Sequence, residues 1–280
     1  MTTDQLYASI QAKRSMLCVG LDTDFNKLPD HLKKLALGGE TAIKGELYKG
    51  NVRSIIAFNK AIIDATAPHC VAYKPNLAFY ECLGTDGLRA LDVTVDYIRS
   101  KYPDMFLIAD AKRGDIGNTA KMYAKTYFET MDFDAVTISP YMGSETVTPF
   151  LEYPGKFAIV VALSSNGTSS DFQLAEKEGK PLYQVVMEKM MSISTPENMM
   201  FVVGATKADK LAEIRQFCPD NFFLVPGVGA QGGSAEEVIA NGSNSKGGLL
   251  INSSRGIIYA SQGEDFAEAA AKSAENTARI

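Results

Sequence analysis

Short runs of apolar residues alternate with longer segments of helical periodicity along the chain. The runs predict strands at 16–22, 70–74, within 106–119, and at 135–138, 157–163, 200–203, 222–225 and 248–252. Apolar spacing near 3.6 residues is typical of helices, and it predicts them at 4–13, 46–67, 79–101, 118–131, 143–152, 181–192, 207–216, 234–240 and 263–277.

Strands that are apolar throughout and separated by helices are typical of a parallel sheet covered on both faces. Eight such units in 280 residues predict an α/β protein with a closed (β/α)₈ TIM barrel, organised as a single domain over residues 1–280. An open doubly wound sheet is the alternative, although no Gly-x-Gly-x-x-Gly follows the first strand to favour it. The tracts 23–45 and 164–180 exceed ordinary loop lengths, so we expect insertions or lids there.

Composition narrows the class of protein without changing the predicted fold. Hydrophobic residues make up 46% of the chain and charged residues 22%, and the net charge of −5 argues against a nucleic-acid partner. The four cysteines form no Cys-x-x-Cys pair, which fits a reducing cytoplasm. No apolar run approaches the ~20 residues that span a membrane, and no signal peptide is evident.

Charged residues lie at the ends of several predicted strands, where catalytic residues of barrels lie. They are Asp22, Lys74, Asp110 and Lys112. Residues two apart in a strand share a face, so we expect Asp110 and Lys112 to point the same way. A solvated ion pair at a strand end explains that pair equally well, and the ring of charges at one mouth favours a functional site.

The last two strands end in groups that suit an anion. Residues 226–233 are rich in glycine, and residues 252–256 contain Ser253, Ser254 and Arg255. Barrels frequently bind phosphate with the loops after strands 7 and 8, and arginine can clamp it with two hydrogen bonds. A glycine-rich loop alone can be a simple turn, but its place beside Arg255 favours a phosphate site.

No metal site is expected. Asp22, Asp110 and Asp115 could offer oxygens to Mg²⁺, but the neighbouring Lys74 and Lys112 would repel a cation. The sequence shows no Ser-His-Asp or Cys-His arrangement either. The remaining chemistry is electrostatic: a lysine kept cationic by carboxylates faces a developing carbanion. Lys112 could then deliver a proton.

Three motifs together resemble the orotidine 5′-monophosphate decarboxylase family. They are Asp-Ala-Lys-Arg-Gly-Asp-Ile-Gly-Asn-Thr at 110–119, Pro-Gly-Val-Gly-Ala-Gln-Gly-Gly at 226–233 and Asn-Ser-Ser-Arg-Gly at 252–256. Ser-Asn at 165–166 and Asp-Phe-Gln at 171–173 resemble the longer bacterial subgroup. The resemblance runs from the first strand to the eighth. It implies decarboxylation of orotidine 5′-monophosphate to uridine 5′-monophosphate (UMP) and CO₂ without a cofactor.

The resemblance also implies a role for each site residue. Lys112 would protonate C6 of the pyrimidine and Asp110 would lie near the substrate carboxylate. Sites would be shared in a homodimer, with residues of one subunit serving the other. The remaining implied contacts are Asp22 and Lys74 to the ribose, Asp115 and Thr119 to the neighbouring subunit's site, Ser165 to the pyrimidine edge, Gln231 to pyrimidine and phosphate, and Ser254 and Arg255 to phosphate.

The sequence departs from the pattern of this subgroup at one place, and two other functions remain as alternatives to the decarboxylase. The subgroup usually has Pro-Gly after Ser-Asn, whereas this chain has Gly167 and Thr168, which would loosen a closed lid. A Mg²⁺-dependent 3-keto-gulonate 6-phosphate decarboxylase or a hexulose-phosphate synthase would share the Asp-x-Lys-x-x-Asp motif. A catalytically silent nucleotide-binding barrel is the other alternative.

Overall fold

Eight parallel strands close into a barrel in a computed structural model that describes residues 1–37, 41–43, 46–48, 50–205, 208–228 and 234–278. Each strand pairs with its neighbours in chain order and the eighth pairs with the first. This closure confirms the predicted barrel and excludes the open sheet. The strands are β1 Leu17–Gly20, β2 Ala72–Lys74, β3 Phe106–Arg113, β4 Ala135–Ile138, β5 Phe157–Leu163, β6 Met199–Val203, β7 Phe223–Pro226 and β8 Leu249–Ser253.

Two apolar layers form because both faces of these strands are apolar. One cluster, which includes Cys18, Ile108 and Leu250, fills the barrel between the strands, and Leu6 and Ile10 of the first helix pack on it. The larger cluster lies between the strands and the surrounding helices. A barrel of eight strands is just wide enough for side chains to fill its interior. The polar groups therefore collect where this filling ends, at the carboxyl ends of the strands.

Helices surround the barrel, and the first of them packs on its interior cluster. The longer ones are Thr3–Lys13, Gly50–Thr66, Gly84–Lys101, Gly117–Lys125, Leu182–Met191, Ala208–Phe217, Ala235–Gly242 and Phe266–Ala278. Short helical turns occupy Phe25–Lys27, Asp30–Lys33, Lys34–Leu37, Ala78–Glu81, Thr126–Thr130, Ser144–Thr146, Thr148–Leu151, Gly167–Asp171 and Arg255–Ile258. None of the helices in the described ranges is long and apolar enough to cross a bilayer.

Three predicted helices differ from the observed ones, and the one predicted over 143–152 is two short turns, Ser144–Thr146 and Thr148–Leu151. Residues 46–48 are not helical, because Glu46–Tyr48 pairs with Thr41–Ile43 as an antiparallel hairpin, and the helix begins at Gly50. The helix predicted over 79–101 is broken in two, and the second part starts at Gly84 with φ +65°. Glycine adopts this left-handed conformation without steric cost, so it allows the chain to turn between the two parts.

The two long polar tracts contain structure of their own. The first holds the three turns between Phe25 and Leu37. The second holds the turn Gly167–Asp171 and a small hairpin that pairs Glu176–Lys177 with Lys180–Pro181. They are therefore insertions rather than simple connections, and movement of the second tract as a lid stays a prediction.

Candidate active site

A cavity of about 220 Å³ opens at the carboxyl ends of the strands. Four predicted site residues, Asp22, Lys74, Ser254 and Arg255, line it together, although they come from the first, second and eighth strand–helix units. The other lining residues are Asn76, Pro226, Gly227, Val228, Asn252 and Ser253. The barrel thus brings a carboxylate and two cations into one small space.

The closure between β1 and β8 depends on Gly20. A Cβ atom on Gly20 would lie 1.8 Å from Ser254 Oγ and 2.8 Å from Ser254 Cβ. Any larger residue at the end of β1 would displace Ser254 from its place on the cavity wall. Nearby, the Tyr259 hydroxyl donates to the Asp22 carbonyl oxygen at 2.9 Å and accepts from the Asp24 amide at 2.7 Å, which ties the loop after β1 to the segment after β8.

Lys74, Asp110 and Lys112 form a continuous chain of ion pairs beside the cavity. Lys74 Nζ lies 2.7 Å from Asp110 Oδ2, and Lys112 Nζ lies 2.5 Å from Asp110 Oδ1. Lys74 and Asp110 are buried, whereas the Lys112 side chain is 55% exposed. The predicted contact between Asp110 and Lys112 is confirmed, and burial of the carboxylate rules out an ordinary solvated pair.

The charges of the two buried members support each other. Burial alone would raise the pKa of Asp110, but the Lys74 and Lys112 ammoniums outweigh burial and hold this pKa well below its ordinary value. Burial alone would lower the pKa of Lys74, but Asp110 and Asp22 outweigh it and hold this pKa well above its ordinary value. The carboxylate and the buried ammonium therefore keep their charges across the physiological pH range.

Two buried acceptors in the cavity wall lack a hydrogen-bond partner among the described residues. They are Asp22 Oδ1 and Asn252 Oδ1. A buried polar atom without a partner is costly, so both atoms are suited to accept hydrogen bonds from hydroxyl groups of a ligand. Sequence reasoning assigned no role to Asn252. Its position two residues after the interior residue Leu250 is the signal that could have placed it inside the barrel.

The other predicted residues are more dispersed. Asp115 is half-buried and accepts a hydrogen bond from the Ile116 amide at 2.8 Å, and Thr119 is exposed in the first turn of the helix Gly117–Lys125. Neither lines the cavity of its own chain. Ser165 follows β5 and lies against Gly204, where an added Cβ would come within 2.6 Å of the Ser165 nitrogen. Gln231 lies outside the described residues.

Large apolar side chains are exposed near Asp115 and Thr119. Ile116 is 44% exposed, Met122 57%, Tyr141 83% and Met142 53%. Ile116 directly precedes the helix Gly117–Lys125 and Met122 lies within it, and the other two precede turns that contact this helix. An exposed group of apolar residues of this kind is typical of an interaction surface.

The chain is similar to known proteins over nearly its whole length. Residues 15–271 match the model of the family described as Orotidine 5′-phosphate decarboxylase / HUMPS. The orotidine 5′-phosphate decarboxylases of Phocaeicola vulgatus and Bacteroides fragilis are 54% and 52% identical over 276 residues. These alignments cover 98% of this chain and 96% and 95% of the relatives. The solved Leishmania donovani OMP decarboxylase superposes with a TM-score of 0.76 at 32% identity, covering 99% of this chain and 97% of that one.

Proposed function

The chain belongs to the orotidine 5′-phosphate decarboxylase / HUMPS family, and we propose that the Lys74–Asp110–Lys112 ion-pair chain performs its chemistry. The protein is a carboxy-lyase that converts orotidine 5′-monophosphate to UMP and CO₂, the last step of UMP biosynthesis. Full-length identity above 50% to named decarboxylases favours this activity over the Mg²⁺-dependent and silent alternatives. The residue roles below are part of the proposal.

Decarboxylation leaves an electron pair on C6 of the pyrimidine when the bond to the carboxylate breaks and CO₂ departs. Lys112 then transfers a proton from Nζ to C6, so that UMP forms and the neutral amine regains a proton from water. Lys112 is the more exposed ammonium of the ion-pair chain, which suits it to face a ligand. Asp110 directs this ammonium, and Lys74 keeps Asp110 ionised. Charges that are already in place when the carbanion develops stabilise it without reorganisation.

The phosphate is held at the part of the cavity wall that Arg255 forms. Arg255, which lines the cavity with the neighbouring Ser254, supplies a permanent charge and two parallel hydrogen bonds. The proposed contact from Gln231 lies outside the described residues. Binding energy gained at the phosphate, far from C6, can then be used to stabilise the transition state.

The ribose lies between these two ends. Asp22 Oδ1 and Asn252 Oδ1 are buried without partners in the described ranges, and ribose hydroxyls are donors of the kind that would satisfy them. Lys74 contributes a further donor at this position in the proposal. Ser165 contacts the pyrimidine edge after the segment 164–180 closes over the substrate.

The active form is proposed to be a homodimer with shared sites. The exposed apolar group Ile116, Met122, Tyr141 and Met142 supports a second copy of the chain as its cover. Asp115 and Thr119 lie on the segment that carries Ile116 and Met122, next to this proposed contact, and in the proposal each serves the site of the neighbouring subunit. We also propose that residues 1–280 act as one domain. Free thiols at all four cysteines support a reducing, cytoplasmic location.

A direct assay tests the proposed function. Purified protein with orotidine 5′-monophosphate should show the absorbance change of conversion to UMP, and EDTA should leave the rate unchanged. Activity that needs added Mg²⁺ with a sugar phosphate, or tight UMP binding without turnover, would instead favour one of the two rival functions. The observation that carries the proposal is the buried Asp110 carboxylate bridged by two ammoniums beside a cavity that contains Arg255.

A further inference from the structure

We propose that Thr137 is the positioning residue that aims the Lys112 ammonium, an inference that rests on the proposed role of Lys112 as proton donor. Thr137 lies in β4, opposite the end of β3, and is only 1% exposed. Its hydroxyl group holds the backbone on which Lys112 is mounted. Its side chain is buried and hydrogen-bonds the Lys112 amide and the Asp110 carboxylate, so it acts through Lys112 and Asp110 rather than through the substrate.

The strand β3 is irregular at the point where it carries the charged residues. Ala109 pairs with Val136 and Arg113 pairs with Ile138, so Asp110, Ala111 and Lys112 face the single residue between these partners on β4, which is Thr137. Bulges of this kind change the direction of a side chain and are frequent beside active sites. The simple strand alternation that predicted the Asp110–Lys112 contact therefore does not describe the local backbone.

Lys112 has a left-handed backbone conformation, with φ +46°. For a residue with a Cβ atom this conformation is sterically unfavourable, and it persists only where the surroundings impose it. The contacts that impose it are therefore contacts that decide where the ammonium points.

The Thr137 hydroxyl supplies several of these contacts. Its oxygen accepts from the Ala111 amide at 3.0 Å and from the Lys112 amide at 2.9 Å, and it lies 3.1 Å from Asp110 Oδ1. A hydroxyl has two acceptor sites and one hydrogen. Because the two amides use both acceptor sites, the hydrogen points at Asp110. Thr137 thereby fixes the backbone of Lys112 and the carboxylate that pairs with its ammonium.

Arg113 holds the same peptide unit from its other end. Its Nη1 donates to the Ala111 carbonyl at 3.1 Å, while the Lys112 amide of that peptide donates to Thr137. The guanidinium is itself anchored by an ion pair with Glu81 and lies over the ring of Tyr123. The peptide plane between Ala111 and Lys112 is thus held at both ends, and loss of the hydroxyl would free one of them.

The test compares Thr137→Val, which keeps the shape but removes the hydroxyl, with Thr137→Ser, which keeps the hydroxyl. Misplacement of a catalytic group by about 1 Å can reduce the rate about 100-fold. We expect Thr137→Val to lower kcat by about 10- to 100-fold, while KM and the Kd for UMP change less than about threefold. Thr137→Ser should recover most of kcat.

A second measurement isolates the proton transfer. By microscopic reversibility, the group that protonates C6 also promotes exchange of the C6 hydrogen of UMP in D₂O. NMR should show slow exchange with Thr137→Val and near-normal exchange with Thr137→Ser. A merely structural role would not give a loss that is confined to kcat and exchange and is rescued by serine.

Several results would overturn the inference. They are wild-type kcat in Thr137→Val, equal loss in the serine variant, or a parallel loss of kcat and UMP affinity. If the valine variant does not fold, Thr137→Ala takes its place with the same expectations. If neither variant folds while the serine variant is normal, Thr137 serves stability rather than the positioning of Lys112.

A Lys112→Ala variant in the same series separates the role of Thr137 from the proposed donor role of Lys112. Full turnover there would refute the donor role itself, whereas a dead Lys112→Ala beside an unimpaired Thr137→Val would refute only the role of Thr137.

Discussion

Lys74 Nζ and Asp110 Oδ2 lie 2.7 Å apart, and both side chains are more than nine-tenths buried. Removing one member of a buried ion pair leaves an uncompensated charge, which costs about 3–5 kcal/mol. This relationship makes the stability of the fold depend on a pair that the proposed chemistry also requires.

Asp110→Asn should therefore lower the free energy of unfolding by about 3–5 kcal/mol at neutral pH. In the folded protein the pKa of Asp110 lies below its ordinary value of 3.8, so the stabilisation is present above pH 3.8 and is lost as the pH falls through the folded pKa. The difference between variant and wild type should shrink below pH 3.8. Urea unfolding over a pH series measures this, with Asp30→Asn as control, because that carboxylate is 89% exposed. A difference that stays constant into strong acid would contradict the assignment.

Lys112→Ala and Lys112→Arg separate charge from proton donation. Arginine keeps the charge but does not release a proton at neutral pH, so both variants should lose at least about 10²- to 10⁴-fold in kcat. Binding of UMP should change much less. Steady-state kinetics and calorimetry provide the two measurements. Substantial activity in Lys112→Arg would show that a positive charge at this position is enough for catalysis, and it would contradict the role of Lys112 as proton donor.

Arg255→Ala should weaken the binding of phosphorylated ligands selectively. A hydrogen bond to a charged group contributes about 1.5–3 kcal/mol, which corresponds to about 10- to 100-fold in the Kd for UMP. Uridine without phosphate should bind the variant and the wild type equally. Lys189→Ala removes one exposed positive charge elsewhere and serves as the control for net charge. Equal losses for UMP and uridine would place Arg255 outside the phosphate site.

Shared sites predict complementation between two inactive chains. Lys112→Ala mixed with Asp115→Ala should restore activity, because a mixed dimer has one site with both residues intact. Random exchange gives about a quarter of the wild-type sites. Lys112→Ala mixed with Asp110→Asn is the matched control and should restore nothing, since those residues belong to the same chain. Absence of activity in the first mixture, with mixed dimers confirmed by mass spectrometry, argues against shared sites.

Gly167→Pro introduces, in the loop after β5, the proline that usually follows Ser-Asn in the subgroup that the sequence resembles. Asn166 has φ −70° and ψ 149°, the extended conformation required before proline. A Cβ on Gly167, the first residue of its helical turn, would have no atom within 4 Å. We expect a gain of about 0.4–1 kcal/mol in the free energy of unfolding and a lower KM from a better ordered lid. Thermal unfolding and steady-state kinetics measure the two effects. A loss of stability would indicate that the backbone here does not fit proline.

The pattern of apolar and polar residues predicted the barrel because the eight apolar runs and their helices depend on residues close in sequence. Exact helix bounds and the positioning of site residues depend instead on contacts between residues far apart in the chain. Residues 46–48 have helical spacing, but pairing with Thr41–Ile43 makes them a strand. Lys74, Asp110 and Arg255 were identifiable as charges at strand ends. Thr137 was not, because a threonine in an apolar strand is ordinary, and only the partner strand shows that it faces a bulge.

The hydroxyl of Tyr259, which joins the segment after β8 to the loop after β1, has a consequence for assembly. Asp22 leaves the ribosome before Lys74 and Asp110, and Arg255 leaves it after all eight strands of the barrel. The strands that carry Lys74, Asp110 and Lys112 therefore emerge well before the cavity has its full wall. A growing chain therefore contains the ion-pair residues before β8 closes the ring, and under the proposed roles it can hold the phosphate only after that strand is in place.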